Sequence, residues 1–196
     1  LIELTDWELI FDYPENPAKG SILIANPFMR DPNFKRSVVF LTEHNETGTM
    51  GFILNKPVDV SLLELSGDFP VLDIKLYFGG PVQIDTLYFI HKVPEKLEGG
   101  IEITNEIYFG GDIEQLRELL MNQELQLSEF RFFIGYSGWG SRQLAQEMQE
   151  KSWIAREVNS QFVFEMEAEQ MWREALRSLG SKYAVIANFP EDPQYN

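Results

Sequence analysis

The residues with most chemical potential lie in one run, Gly135-Tyr136-Ser137-Gly138-Trp139-Gly140. A serine among glycines at a strand-to-helix turn lets backbone amides meet an anion or a reacting oxygen, as in serine-dependent acyl transfer. Phe130-Arg131-Phe132-Phe133-Ile134 reads as the strand leading in, and Ser141-Arg142-Gln143-Leu144-Ala145-Gln146-Glu147-Met148 as the helix leading out. A Gly-x-Ser-x-Gly elbow needs a small fifth residue so that helix and strand can close together, and here the fifth is Trp139. That class of hydrolase also places its histidine after the serine, whereas His44 and His91 both precede Ser137. The catalytic alternative is therefore Ser137 with His44 or His91 as base. The preferred reading is that Gly135, Gly138 and Gly140 permit unusual backbone angles while Trp139 packs into a groove.

Other chemistries find less in the chain. His44 has Glu43 and Glu46 beside it and His91 closes an apolar strand, but neither belongs to a His-x-x-x-His or His-Glu-x-x-His spacing. No metal or other cofactor is expected. Gly79-Gly80-Pro81 is followed by another strand rather than a helix, and Gly110-Gly111-Asp112 puts an acid where a phosphate would sit, so neither is a phosphate loop. With no cysteine in the chain, disulfides and thiolate chemistry are excluded.

Bulk properties narrow the partners. Thirty-one Asp and Glu against 16 Lys and Arg leave a formal charge of −15, and the local basic cluster is confined to Arg30, Lys35 and Arg36. A polyanion is repelled by such a chain, so direct nucleic-acid binding is not expected. No apolar stretch approaches the roughly 20 residues of a membrane span. With no leader read and no cysteine, the expected compartment is the cytoplasm. The 196 residues, 44% of them hydrophobic, suit one domain with a sizeable core.

The elements that would position these residues are mostly strands early and helices late. Strands are read at Ile22–Ala25, Val38–Leu41 and Met50–Leu54, the last two flanking a hairpin turn at His44–Gly48. Leu76–Phe78 and Leu87–Ile90 are further strands, and Leu62–Leu65 is a short helical candidate. Asp112 caps a helix presenting Ile113, Leu116, Leu119 and Leu120. A helix near 141–151, a strand at Gln161–Glu165, a helix near 168–179 capped by Gly180, and a last strand at Tyr183–Ala187 follow. Trp153 and Trp172 are expected in the core, and the tail Pro190–Pro193 on the surface. This order gives α+β rather than a doubly wound sheet.

Ordered landmarks span the whole chain: Gly20–Pro27, Phe34, Arg36–Val39, Glu43-His44, Gly51–Pro57, Gly79–Val82, His91, Gly135–Gly140, Gln143-Leu144 with Glu147, Trp153, Trp172, Leu179-Gly180, Pro193 and Asn196. In these the chain resembles the AlgH/YqgE family of bacterial proteins. The resemblance implies a single α+β domain over residues 1–196, with a mixed or antiparallel sheet whose small β-barrel-like part is surrounded by helices. Members carry a transcriptional-regulator label through a link with alginate control, without a recognisable DNA-binding motif. Many have alanine where Ser137 stands, and no catalytic set is carried over. The expected function is non-enzymatic regulation or binding through a protein or small-molecule partner, affecting transcription indirectly. Direct DNA binding is the further alternative, and the oligomeric state is left open. The expected binding surface combines Gly135, Tyr136, Ser137, Gly138, Trp139, Gly140, Gln143 and Glu147 with His44, Asn55, Gly79, Gly80 and Pro81.

Overall fold

Apolar residues fill consecutive positions of the early strands, which is the pattern of strands buried on both faces. The computed structural model, which describes residues 16–59 and 74–188, bears this out: all of Ser21–Ala25 and the first five residues of Val38–Asn45 are buried. Its ten strands are β1 (Ser21–Ala25), β2 (Val38–Asn45), β3 (Gly48–Ile53), β4 (Pro57–Val58), β5 (Leu76–Phe78), β6 (Val82–His91), β7 (Ile101–Thr104), β8 (Ile107–Phe109), β9 (Phe130–Gly140) and β10 (Trp153–Glu157). The main path runs β10-β1-β2-β3-β9-β6-β8-β7, every neighbour pair antiparallel. β5 lies parallel to β9 and pairs with β4. Together they make an antiparallel half-barrel sheet in a single α+β domain.

Five α-helices cover the sheet among the described residues: α1 (Ile113–Met121), α2 (Gln143–Gln149), α3 (Ser160–Glu165), α4 (Ala168–Arg177) and α5 (Ser181–Ala187). The inner face holds the largest core, where Ile22, Phe40, Phe52, Ile90 and Phe133 meet Val163, Met171, Trp172, Leu176 and Ile186 of α3–α5. On the outer face, α1 sets Leu116 and Leu120 against Phe89, Phe130 and Phe132. α2 sets Leu144 against Leu23, Val39, Leu41, Trp139 and Trp153 on the same side. Trp153 and Trp172 are both core residues as expected, although Trp153 reaches the core from a strand.

The expected cap holds at α1, where the Asp112 carboxylate accepts from the Glu114 and Gln115 amides. The hairpin holds as well: Asn45 Oδ1 accepts from the Thr47 and Gly48 amides in the β2–β3 turn. Three expectations are corrected. Gly135–Gly140 is no strand-to-helix turn but the continuation of β9, which pairs Gly48 with Gly140 and Gly51 with Ser137. β3 pairs with it from Ser137 to Gly140, and β6 meets it at Tyr136. Gln161–Glu165 is helical, with Asn159 capping α3 by accepting from the Phe162 amide. Tyr183–Ala187 is helical too, for Tyr183, Ile186 and Ala187 share one buried face at helical spacing. α4 closes at Ser178, and Gly180, at φ +119°, joins it to α5. No strand was expected at β4, β7 or β10. The candidate helix at Leu62–Leu65 and the tail Pro190–Pro193 lie outside the described residues.

One local distortion sets the geometry of everything that follows. Gly135 sits at φ +67°, and there the register of β9 against β6 jumps, Leu87 facing Ile134 but Val82 facing Tyr136. The bulge shifts the alternation of side chains by one. Phe133 and Tyr136 thus both pack on the inner core, although they are three residues apart.

Candidate functional site

Because Gly135–Gly140 is a strand, its residues alternate between two faces. Tyr136, Gly138 and Gly140 belong to the inner face, with Met50 and Glu43 across the ladder; Ser137 and Trp139 belong to the outer face, with Gly51, Thr49 and His44 across from them. The structure therefore does not bring the sequence-derived set onto one surface.

The glycines themselves fall into two kinds. A Cβ on Gly79 would lie 2.2 Å from the Gly135 carbonyl oxygen, one on Gly80 2.3 Å from the Tyr136 carbonyl group, and one on Gly135 2.4 Å from the Gly80 carbonyl oxygen. Two stretches of backbone interlock there, so the fold itself demands glycine. Gly138 and Gly140 differ: neither has a positive φ, and a Cβ would meet only the Tyr136 ring edge at 3.0 Å and Gln143 Oε1 at 3.9 Å respectively. Nothing in the fold requires those two residues to lack side chains.

What their absence creates is an open depression of about 450 Å³ at the end of the half-barrel. Gly48, Gly138 and Gly140 form its floor of bare backbone, and Glu43, Met50, Val82 and Tyr136 its walls. Glu43 is exposed, its carboxylate accepting a 2.6 Å hydrogen bond from Asn45 Nδ2. Tyr136 stands edge-on to Tyr88 at 5.8 Å, and Tyr88 donates its hydroxyl to Gln83 Oε1. Burial, and then Tyr136, push the Tyr88 pKa up, so this phenol stays protonated at neutral pH.

The outer-face residues are engaged in holding the fold. The Ser137 hydroxyl is wholly buried and donates to the Gly79 carbonyl at 2.9 Å. Glu147 Oε2 accepts from both indoles, Trp139 Nε1 at 2.8 Å and Trp153 Nε1 at 2.7 Å, while its Oε1 accepts from Gln143 Nε2. Gln143 Oε1, at the start of α2, in turn accepts from the Gly140 amide at the end of β9. Asn55 clamps the approach to β2, accepting from the Val38 amide and donating to the Arg36 carbonyl. Pro81 is exposed, just before β6.

The histidines stand far apart. His44 lies level with Trp139 through Thr49, and His91 level with Phe130, nine residues along β9 or about 30 Å. His44 Nδ1 bonds to the Thr49 hydroxyl at 2.7 Å. His91 is fully buried; its Nδ1 accepts from the Val93 amide, its Nε2 has no partner, and burial lowers its pKa. No hydrogen bond of the described residues joins Ser137 to an imidazole, and among those residues no three His, Asp or Glu side chains converge as metal ligands.

The family model described as DUF179, AlgH-like, matches residues 22–184. The chain belongs to this AlgH-like family. Among similar proteins, a UPF0301 protein of Chlorobium limicola is 42% identical over 177 residues, covering 90% of this chain and 95% of that one. Another UPF0301 protein, of Cytophaga hutchinsonii, is 41% identical over 179 residues, covering 91% and 98%. The solution structure of the AlgH protein from Pseudomonas aeruginosa superposes with a TM-score of 0.72 at 27% identity, covering 88% of this chain and 94% of that one. A crystal structure of a Corynebacterium diphtheriae protein shares the fold, with a TM-score of 0.73 at 23% identity and coverage of 89% and 94%.

For this AlgH-like chain, sequence reasoning missed Glu43, Met50 and Val82 as walls of the depression. The hairpin could have revealed the first two, since folding at Asn45–Gly48 with a bulge sets Glu43 against Met50. Val82 is brought there only by the irregular β6–β9 pairing. Of the basic cluster, Arg36 lies over the Trp172 ring at 4.9 Å. Among the described residues no helix is long and apolar enough to cross a membrane.

Proposed function

We propose that this AlgH-like protein is a non-catalytic binding protein, regulating through a partner whose cationic or neutral side chain enters the glycine-floored depression. The observation that carries the reading is the pair Gly138 and Gly140, glycines the fold does not require, which open a floor of bare backbone between an aromatic wall and a carboxylate. Tyr136 offers a ring to a guanidinium or ammonium group, and Glu43 a countercharge. The chain's net charge of −15 favours encounter with a basic partner and repels polyanions, so an influence on transcription would be exerted through another protein.

Argininamide and n-butylamine, titrated against the full chain, test this by amide chemical shifts. The expected result is movement centred on Gly48, Gly138 and Gly140, with loss of binding in Gly140→Val. Equal shifts in that variant, or shifts scattered over all surface acids, would remove the reading.

A further inference from the structure

The opposite end of β9 carries a second cavity, of about 240 Å³, walled by Ile74, Lys75, Tyr77, Phe130, Arg131 and Phe164. Arg131 is only 5% exposed. Its guanidinium lies 4.2 Å from the centre of the Tyr77 ring, its Nη1 donates to the Val163 carbonyl, and its Nε has no partner. An arginine has five N–H donors, so the Val163 carbonyl and the Tyr77 side chain leave part of its capacity unmet, Nε–H included. Arg117 pairs with Glu114 and Arg177 with Glu174, whereas Arg131 has no ion pair among the described residues. Glu167 is near enough to oppose the effect of burial on Arg131 but does not bond to it. A buried guanidinium without a carboxylate is costly, and a protein that keeps one in a cavity wall retains an unmatched charge there.

A second cation, Lys75, lines the same space, and a third, Lys92, stands against one of its aromatic walls. Lys75 Nζ lies 6.0 Å from the Tyr77 ring centre and Lys92 Nζ 5.1 Å from that of Phe164, so each aromatic wall has an ammonium group beside it. The carboxylate of nearby Glu129 is engaged, accepting from the Gln126 amide at 3.0 Å. Three cations gather here in a chain whose acids outnumber its bases 31 to 16.

We propose that this cavity binds a small organic oxyanion, a carboxylate or a phosphate monoester, with Arg131 and Lys75 meeting its charge and Phe130 and Phe164 its apolar body. The volume falls below the roughly 300–1,000 Å³ of sites for drug-sized ligands, which restricts the ligand to a single ring or short chain. The surrounding negative charge excludes a polyanion. The site is independent of the glycine-floored depression.

The test titrates the full chain with benzoate and with phenyl phosphate, against sodium chloride at matched ionic strength, following amide shifts of Lys75, Tyr77 and Arg131. Saturable shifts with either organic anion and none with chloride are expected, the tighter of the two naming the natural class. Arg131→Gln weakens that binding about tenfold or more, as loss of a charge-assisted bond should. Lys75→Glu, at an exposed position that folding does not depend on, does the same, whereas Gly140→Val leaves it unchanged. Shifts that chloride reproduces, no saturation with either anion, or wild-type affinity in Lys75→Glu would each overturn the proposal.

Discussion

The inner face of β9 ends differently in its two halves. Beyond the bulge, at Gly138 and Gly140, it has no side chains at all and looks onto the carboxylate of Glu43. Before it, at Arg131, it carries a long cation sunk beside Tyr77 with Lys75 at the margin. Seven residues, or about 20 Å of strand, separate Arg131 from Gly138. One strand of one sheet thus presents an anionic, bare-backboned recess at one end and a cationic, aromatic one at the other. Charge at each end is a matter of side chains, but which side chains share a face is decided by the single phase shift at Gly135. Two recesses of opposite character on one rigid strand are suited to different ligands, a basic group at one and an oxyanion at the other.

The largest expected effect comes from removing that phase shift. Gly135→Ala puts a Cβ 2.4 Å from the Gly80 carbonyl oxygen at a positive φ, and should cost about 4 kcal/mol in urea unfolding. Gly140→Ala has room and lies in a strand, so it should leave stability unchanged or raise it by about 0.5 kcal/mol. A similar loss in both would erase the distinction between glycines that the fold demands and those it does not.

Next in size is Glu147→Ala, which strips the acceptor from two nearly buried indoles. It should cost about 3 kcal/mol, judged from the usual penalty for orphaned donors. Oxyanion binding at Arg131 should survive it, because the support it removes lies behind the glycine end alone. If phenyl phosphate or benzoate affinity fell in step with stability, the two ends would not be separable.

The smallest effect is in pH and belongs to the arginine end, where His91 faces Phe130 across the ladder. Burial lowers the His91 pKa from its ordinary 6.5. As pH falls through that ordinary value the unfolded chain takes up a proton that the folded one refuses. Stability therefore declines from neutral pH downward until the folded imidazole titrates as well. His91→Asn keeps an acceptor for the Val93 amide and removes the titration. The melting temperature of the variant relative to wild type should rise between pH 7.5 and 5.5, and a constant gap would mean that His91 titrates alike in both states.

Much of the architecture is legible in the residues. Apolar runs marked β1, β2 and β3, Asp112 announced α1, and the stripe Trp172, Ala175, Leu176 marked α4. Short elements failed for a physical reason: Gln161–Glu165 and Tyr183–Ala187 are rich in aromatic and β-branched residues that suit a strand. They became helices because the inner core needed faces at helical spacing, and Asn159 was the one local sign of it.

The site was legible in a different measure. Composition and local motif alone determined the negative charge, the glycine density and the identity of the family, since these depend on which residues are present and in what order. Tertiary structure alone decided that Gly79 and Gly80 lock against Gly135 and Tyr136, that Ser137 turns away from the recess beside it, and that Lys75 and Arg131 line one space. Those outcomes follow from register and from a bulge. A strand's side chains change faces with every residue, so a shift of one position reassigns all of them, and no count of residue types records it.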